Sequence, residues 1–122
     1  MLAFVVALGI GCRTQLLQNI KDTPVSVNEG KNISMEEIEK AITIAGASLG
    51  WRMKIESSGH MVGTLTLRDH IAVVDINYNS ETYSITYKDS TNLKYDGENI
   101  HSNFNTWIQN LQKSINSQLD IL

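Results

Sequence analysis

A single cysteine and a single proline stand in the 122 residues. One cysteine cannot close an internal disulfide, so the fold rests on its hydrophobic core in any redox compartment. Basic clusters are also missing: ten Lys and Arg are scattered among thirteen Asp and Glu, for a net charge of −3. That excludes binding dominated by nucleic-acid phosphates, which needs clustered cations. No apolar run approaches the ~20 residues that span a bilayer as a helix. The glycines form no phosphate cradle, no Gly-x-Ser-x-Gly elbow occurs, and the three histidines match neither a helical His pair nor a Cys-His zinc spacing. Asp89 to Glu98 is rich in oxygen ligands without EF-hand spacing. No enzyme, cofactor, metal or nucleic-acid partner is therefore expected.

What is present begins with an apolar run, Leu2 to Leu8, closing in Gly9-Ile10-Gly11-Cys12. The length suits a secretory signal rather than a membrane span. The pattern resembles the lipobox of bacterial lipoproteins, with Gly9 where leucine is usual. That resemblance implies cleavage before Cys12 and acylation of it, leaving the net charge unchanged because residues 1–11 carry none. In such proteins an Asp after the cysteine favours inner-membrane retention. Here the residue is Arg13, so the periplasmic side of the outer membrane is expected, with acyl chains each contributing ~0.8 kcal/mol per buried methylene. The alternative is a buried strand or helix with Cys12 as an ordinary small core residue.

Residues 12–32, the acylated cysteine and a polar stretch with Pro24 and Asn28-Glu29-Gly30-Lys31-Asn32, read as a tether that extended reaches ~60 Å. Leu16, Leu17 and Ile20 form a short apolar stripe, so a contact strand or a helical turn competes with that reading, and Val25 and Val27 can add an edge strand.

A globular domain is expected over 33–118, with 119–122 as a tail. Ser34-Met35-Glu36-Glu37 has capping-box spacing, with Ile33 and Ile38 at the staple positions. Ile38, Ile42, Ala45 and Leu49 follow on one helical stripe, and Gly50 is a natural stop. Ala41, Ala45, Gly46 and Ala47 would let that helix approach a sheet closely. From Trp51 to Lys88 the period becomes two, giving four strands joined by turns at Ser57 to His60, Arg68 to His70 and Asn79 to Glu81. A last helix, capped by Asn99 or Ser102, carries Ile100, Phe104, Trp107, Ile108, Leu111 and Ile115 on one side and leaves Asn103, Asn105, Gln109, Gln112 and Lys113 for solvent. The expected fold is a two-layer α+β domain. A four-stranded antiparallel meander would carry an N-terminal and a C-terminal helix on one face, in the order α-β-β-β-β-α.

From about Lys31 to Gln118, the segments Ala45 to Trp51, Leu67 to Val74, Tyr83 to Tyr87 and Ile100 to Trp107 resemble a family of small uncharacterised proteobacterial lipoproteins. The resemblance implies the anchor and brings no activity or catalytic residue. Two candidate sites come from the residues themselves. Alternation places Arg52, Lys54, Glu56, Thr64, Thr66, Ile71, Val73 and Asp75, with Ser84 and Thr86, on the outer sheet face. There the apolar pair Ile71 and Val73 among charges marks a candidate face for an envelope protein or cell-wall partner. Arg68, His70 and His101 would form a polar site for a small molecule or metal if strand order brings them to one end of the sheet. Trp51, Tyr83, Tyr87 and Trp107 are expected in the core rather than in a ligand cleft.

Overall fold

The computed structural model describes residues 13–25 and 32–122. The expected signal segment, Cys12, Val27 and most of the Asn28 to Asn32 turn lie outside them. In chain order the elements are β1 (Thr14–Leu16), β2 (Ile20–Pro24), α1 (Met35–Ser48), β3 (Arg52–Ser57), β4 (His60–Leu67), β5 (His70–Tyr78), β6 (Thr82–Thr91), β7 (Asn99–His101) and α2 (Ser102–Asp120). The class is α+β, and the antiparallel meander runs through β3, β4, β5 and β6 as the alternation requires.

That meander is wider than four strands. β2 adds at its edge, giving the order β2-β6-β5-β4-β3, and β1 pairs with β7 in a separate two-stranded ribbon. Residues 13–25 are thus not a free tether, and the competing contact-strand reading describes them. The cause is hydrogen bonding that a polar sequence makes available but composition does not reveal. Buried Asn105 of α2 accepts from the Gln18 amide at 2.9 Å and donates to the Leu16 carbonyl at 3.0 Å and Gln15 Oε1 at 3.2 Å. Asn19 Oδ1 accepts from the Tyr87 amide at 2.8 Å, and Gln112 Nε2 donates to Thr23 Oγ1 at 2.9 Å. Pro24 ends an edge strand, where a missing amide donor costs little.

α1 starts as its sequence specifies. The Ser34 side chain accepts from the Glu37 amide and the Glu37 side chain accepts from the Ser34 amide, completing the capping box. It stops at Gly50, which takes the left-handed conformation at φ 90° while Gly50 and Trp51 amides donate to Ala47 and Gly46 carbonyls. Leu49, past the last turn, is exposed rather than on the buried stripe, which is Ile38, Ala41, Ile42, Ala45 and Gly46. Gly46 permits the close approach to the sheet: a Cβ there would collide with the Met53 side chain.

α2 is capped by His101, not by Asn99 or Ser102, and buries Phe104, Asn105, Ile108, Leu111, Ile115 and Leu119. Leu119 belongs to the core and the helix runs to Asp120, so 119–122 is no tail. The helices pack against each other and over one sheet face. Met61, Ala72, Val74, Ile76, Tyr83 and Ile85 supply that face, each at most 1% exposed. Trp51 and Tyr83 are core as expected, whereas Tyr87 and Trp107 are half-buried at its margin.

Asn105→Ala removes the acceptor for the Gln18 amide and the donor to the Leu16 carbonyl. It is expected to cost about 1–3 kcal/mol, with hydrogen exchange quickening at Gln18 and its neighbours before α2 opens. Urea titration and amide exchange measure both. Unchanged protection over 13–20 would show that strand pairing alone holds the segment.

Candidate functional site

Two regions bring together the residues that the sequence marks, and they lie on different parts of the domain. The first is the end of the sheet where β4 turns into β5. Arg68 and Asp69 form the two-residue tip, with Arg68 in the left-handed region at φ 58°, and Leu67 pairs with His70 across it. On the adjacent strand, Ile71 pairs with Thr91 at the end of β6, and Asn92 then turns at φ 59°. His70 Nδ1 lies 2.7 Å from the Asn92 carbonyl oxygen, which can only accept, so Nδ1 carries a proton. Asn92 Nδ2 donates to Asp69 Oδ2 at 2.9 Å, and Asp69 Oδ1 stands 3.5 Å from His70 Nε2.

The β7–α2 junction brings in the second imidazole. The His101 amide donates to the Leu93 carbonyl, and its Nδ1 accepts from the Asn103 amide at 3.1 Å, capping α2. Nδ1 is therefore the bare nitrogen. The His70 and His101 ring centroids lie 6.3 Å apart. Partial burial depresses the His101 pKa, and the nearby charges of His70, Lys94 and Arg13 depress it further. Arg68 stays exposed at the hairpin tip. Among the described residues no group of three or more His, Cys, Asp or Glu side chains is placed to hold a metal ion.

The neighbouring acidic loop is occupied with its own turn. Asp96 Oδ1 accepts from the Glu98 amide at 2.9 Å and the Asn99 amide at 2.7 Å. These donors hold its carboxyl below the usual carboxylate value. Its oxygens therefore organise backbone rather than converge on a cation.

The second region is the outer sheet face. Cross-strand rows run Lys54, Val62, Asp75 and Thr86, then Arg52, Thr64 and Val73, then Thr66 and Ile71. Seven of the eight candidate residues fall on these rows, Glu56 lies at the irregularity between Ile55 and Ser57 and reaches the face through its contact with Lys54, and none of the eight is buried. Val62 joins Ile71 and Val73 in a half-buried apolar strip. His60, expected in a turn, begins β4 instead, and its Nε2 lies 2.7 Å from Asp75 Oδ1. Lys88 Nζ is 3.8 Å from the same oxygen, and Lys54 pairs with Glu56 at 3.6 Å. The His60–Asp75 pair was readable from the hairpin: pairing Leu67 with His70 fixes Val62 opposite Asp75, and His60 becomes its diagonal neighbour.

The larger hollows, about 320 and 330 Å³, lie beside α1, lined among others by Lys40 and Ile44, away from both histidine groups. A depression of about 80 Å³ between Trp51 and Trp107 is smaller than a ligand cleft. Tyr78 and Tyr83 have phenol pKa values raised by burial, for Tyr78 also by its 2.6 Å hydrogen bond to Glu39. Tyr83 donates to Asn116 Oδ1 at 2.6 Å, so these hydroxyls tie the sheet to the helices.

His101 makes stability pH-dependent with a definite sign. The unfolded chain takes up the imidazole proton at its ordinary value and the folded chain only at lower pH. Between the two the unfolded state holds more protons, and stability falls as the pH drops. NMR titration is expected to place the His101 midpoint below the ordinary histidine value, and to show it rising in an Arg13→Gln, Lys94→Gln double variant. An unmoved midpoint in that variant would assign the depression to burial and His70 alone.

Set against known proteins, the chain matches no protein family, no curated protein and no solved structure.

Proposed function

We propose that this chain is a lipid-anchored envelope domain without catalytic activity. It is acylated at Cys12, held on the periplasmic side of the outer membrane, and engages an envelope protein or cell-wall partner through its open sheet face. The observation that carries the reading is that face: a strip of Val62, Ile71 and Val73 set among Arg52, Lys54, Glu56 and Asp75, with no described element packed over it. An apolar strip rimmed by charge suits a contact that hides the strip and pairs the rim. The Leu2 to Cys12 pattern and Arg13 after the cysteine support the anchor.

Cys12→Ser is expected to move the protein from the membrane fraction to the soluble periplasm. A photo-crosslinking residue at Thr64, in the middle of the open face, is expected to capture one defined envelope component. The same group at Gln109, on the exposed side of α2, is expected to capture none. Equal capture at both positions would remove the sheet face from the reading.

A second reading, a small-molecule or metal site at the sheet end, rests on the 6.3 Å approach of His70 and His101. Zinc bound there would shift both rings' NMR signals together at one equivalent. Signals that stay put to high excess would dismiss it.

A further inference from the structure

We infer that the domain stands directly on the membrane surface, with the end formed by Arg13, Arg68, Lys94 and the His70–His101 pair set against the phospholipid headgroups. This rests on acylation of Cys12 as proposed above and adds to it an orientation and a contact surface.

The argument is one of chain length. Cys12 is joined directly to Arg13, and consecutive Cα atoms are about 3.8 Å apart. Arg13 is pinned, because its carbonyl accepts from the Ser102 amide at 2.8 Å at the start of α2, and Thr14 pairs with His101 in the next position. A tether of ~20 extended residues would have let the domain stand ~60 Å away in any orientation. With residues 13–25 bound into the fold, the acyl attachment point lies one residue from the body of the domain. Lipid on Cys12 therefore brings the α2 N-terminus to the membrane.

The side chains at that end suit the position. Arg13, Arg68 and Lys94 are exposed and make no ion pair among the described residues. Lys94 and Arg13 are close enough to His101 to act on its charge. Leu16, 56% exposed, is three residues from Arg13, and Leu67, 48% exposed, is the cross-strand partner of His70. Four acids, Asp69, Asp89, Asp96 and Glu98, are exposed at or near the same end and balance these cations, so chain length rather than net charge carries the orientation. Exposed Leu67 beside Arg68 at the hairpin tip can reach the boundary between headgroups and acyl chains while the arginine stays among the phosphates.

The strands run away from this end. β5 spans His70–Tyr78, about 26 Å at 3.3 Å per residue, so the turns at Ser58 and Ser80 stand farthest from the lipid. The open sheet face then looks sideways along the membrane, toward neighbours held on the same surface.

The test uses full-length protein made in Gram-negative cells, with Cys12 acylation read by mass spectrometry. A second cysteine is introduced singly by Thr66→Cys or Asn103→Cys near the proposed contact, or by Ser58→Cys or Ser80→Cys at the opposite end. Each is labelled with a fluorescent maleimide and reconstituted in vesicles of phosphatidylethanolamine and phosphatidylglycerol containing doxyl-labelled lipid. Labels at 66 and 103 are expected to be quenched severalfold more than labels at 58 and 80. Equal or reversed quenching in protein whose Cys12 is acylated would overturn the orientation and leave the anchor standing. An unmodified Cys12 would overturn the anchor, and the orientation with it.

Discussion

Burial of one sheet face under two helices is the constraint on which the rest of this structure depends. With no disulfide available, Met61, Val74, Ile76 and Ile85 from the sheet and Ile38, Ile42, Phe104, Ile108 and Leu111 from the helices must supply the core. One-sided burial forces the period-two alternation of β4, β5 and β6, and alternation in turn commits Thr64, Val73 and Asp75 to the opposite face. The open face is therefore a consequence of how the core is built. Its charges guard the exposed β3 edge against edge-to-edge pairing, and its apolar strip is what the proposed partner would cover.

Buried amides extend that core into a chain segment too polar to join it by hydrophobicity. Asn105 is nearly inaccessible and would be costly there unpaired, yet all three of its hydrogen bonds go to Gln15, Leu16 and Gln18. It thus specifies where residues 13–25 lie more than it adds to overall stability. The result is a domain that begins beside its proposed lipid attachment point. Arg13, the histidine pair and the hairpin tip meet at one end, while the sheet stands away from it.

Much of the candidate sites could be read along the chain because short turns fix register. The two-residue Arg68–Asp69 tip determines every pairing between β4 and β5, so the membership of the outer face follows from alternation alone. The approach of His70 to His101 did not follow. These residues lie 31 positions apart, and what joins them is the Asn92 turn and the capping of α2 by His101, neither of which has a periodic signal. Asn105 was misplaced for a related reason: helical periodicity sorts side chains by hydrophobicity, and a polar residue at the border of the stripe turns inward only if partners wait there.

By itself the sequence determined the local and periodic features: the Ser34–Glu37 cap, the Gly50 stop, the four strands of the meander, the inner and outer sheet faces and the stripe of α2. Each depends on neighbours within a few residues or on a fixed repeat. Tertiary structure alone decided that β2 joins β6, that β1 pairs with β7, that Asn105 is buried and that two histidines share one end. Those outcomes rest on hydrogen bonds between residues far apart in the chain, whose free energy exists only once the core has brought the partners together.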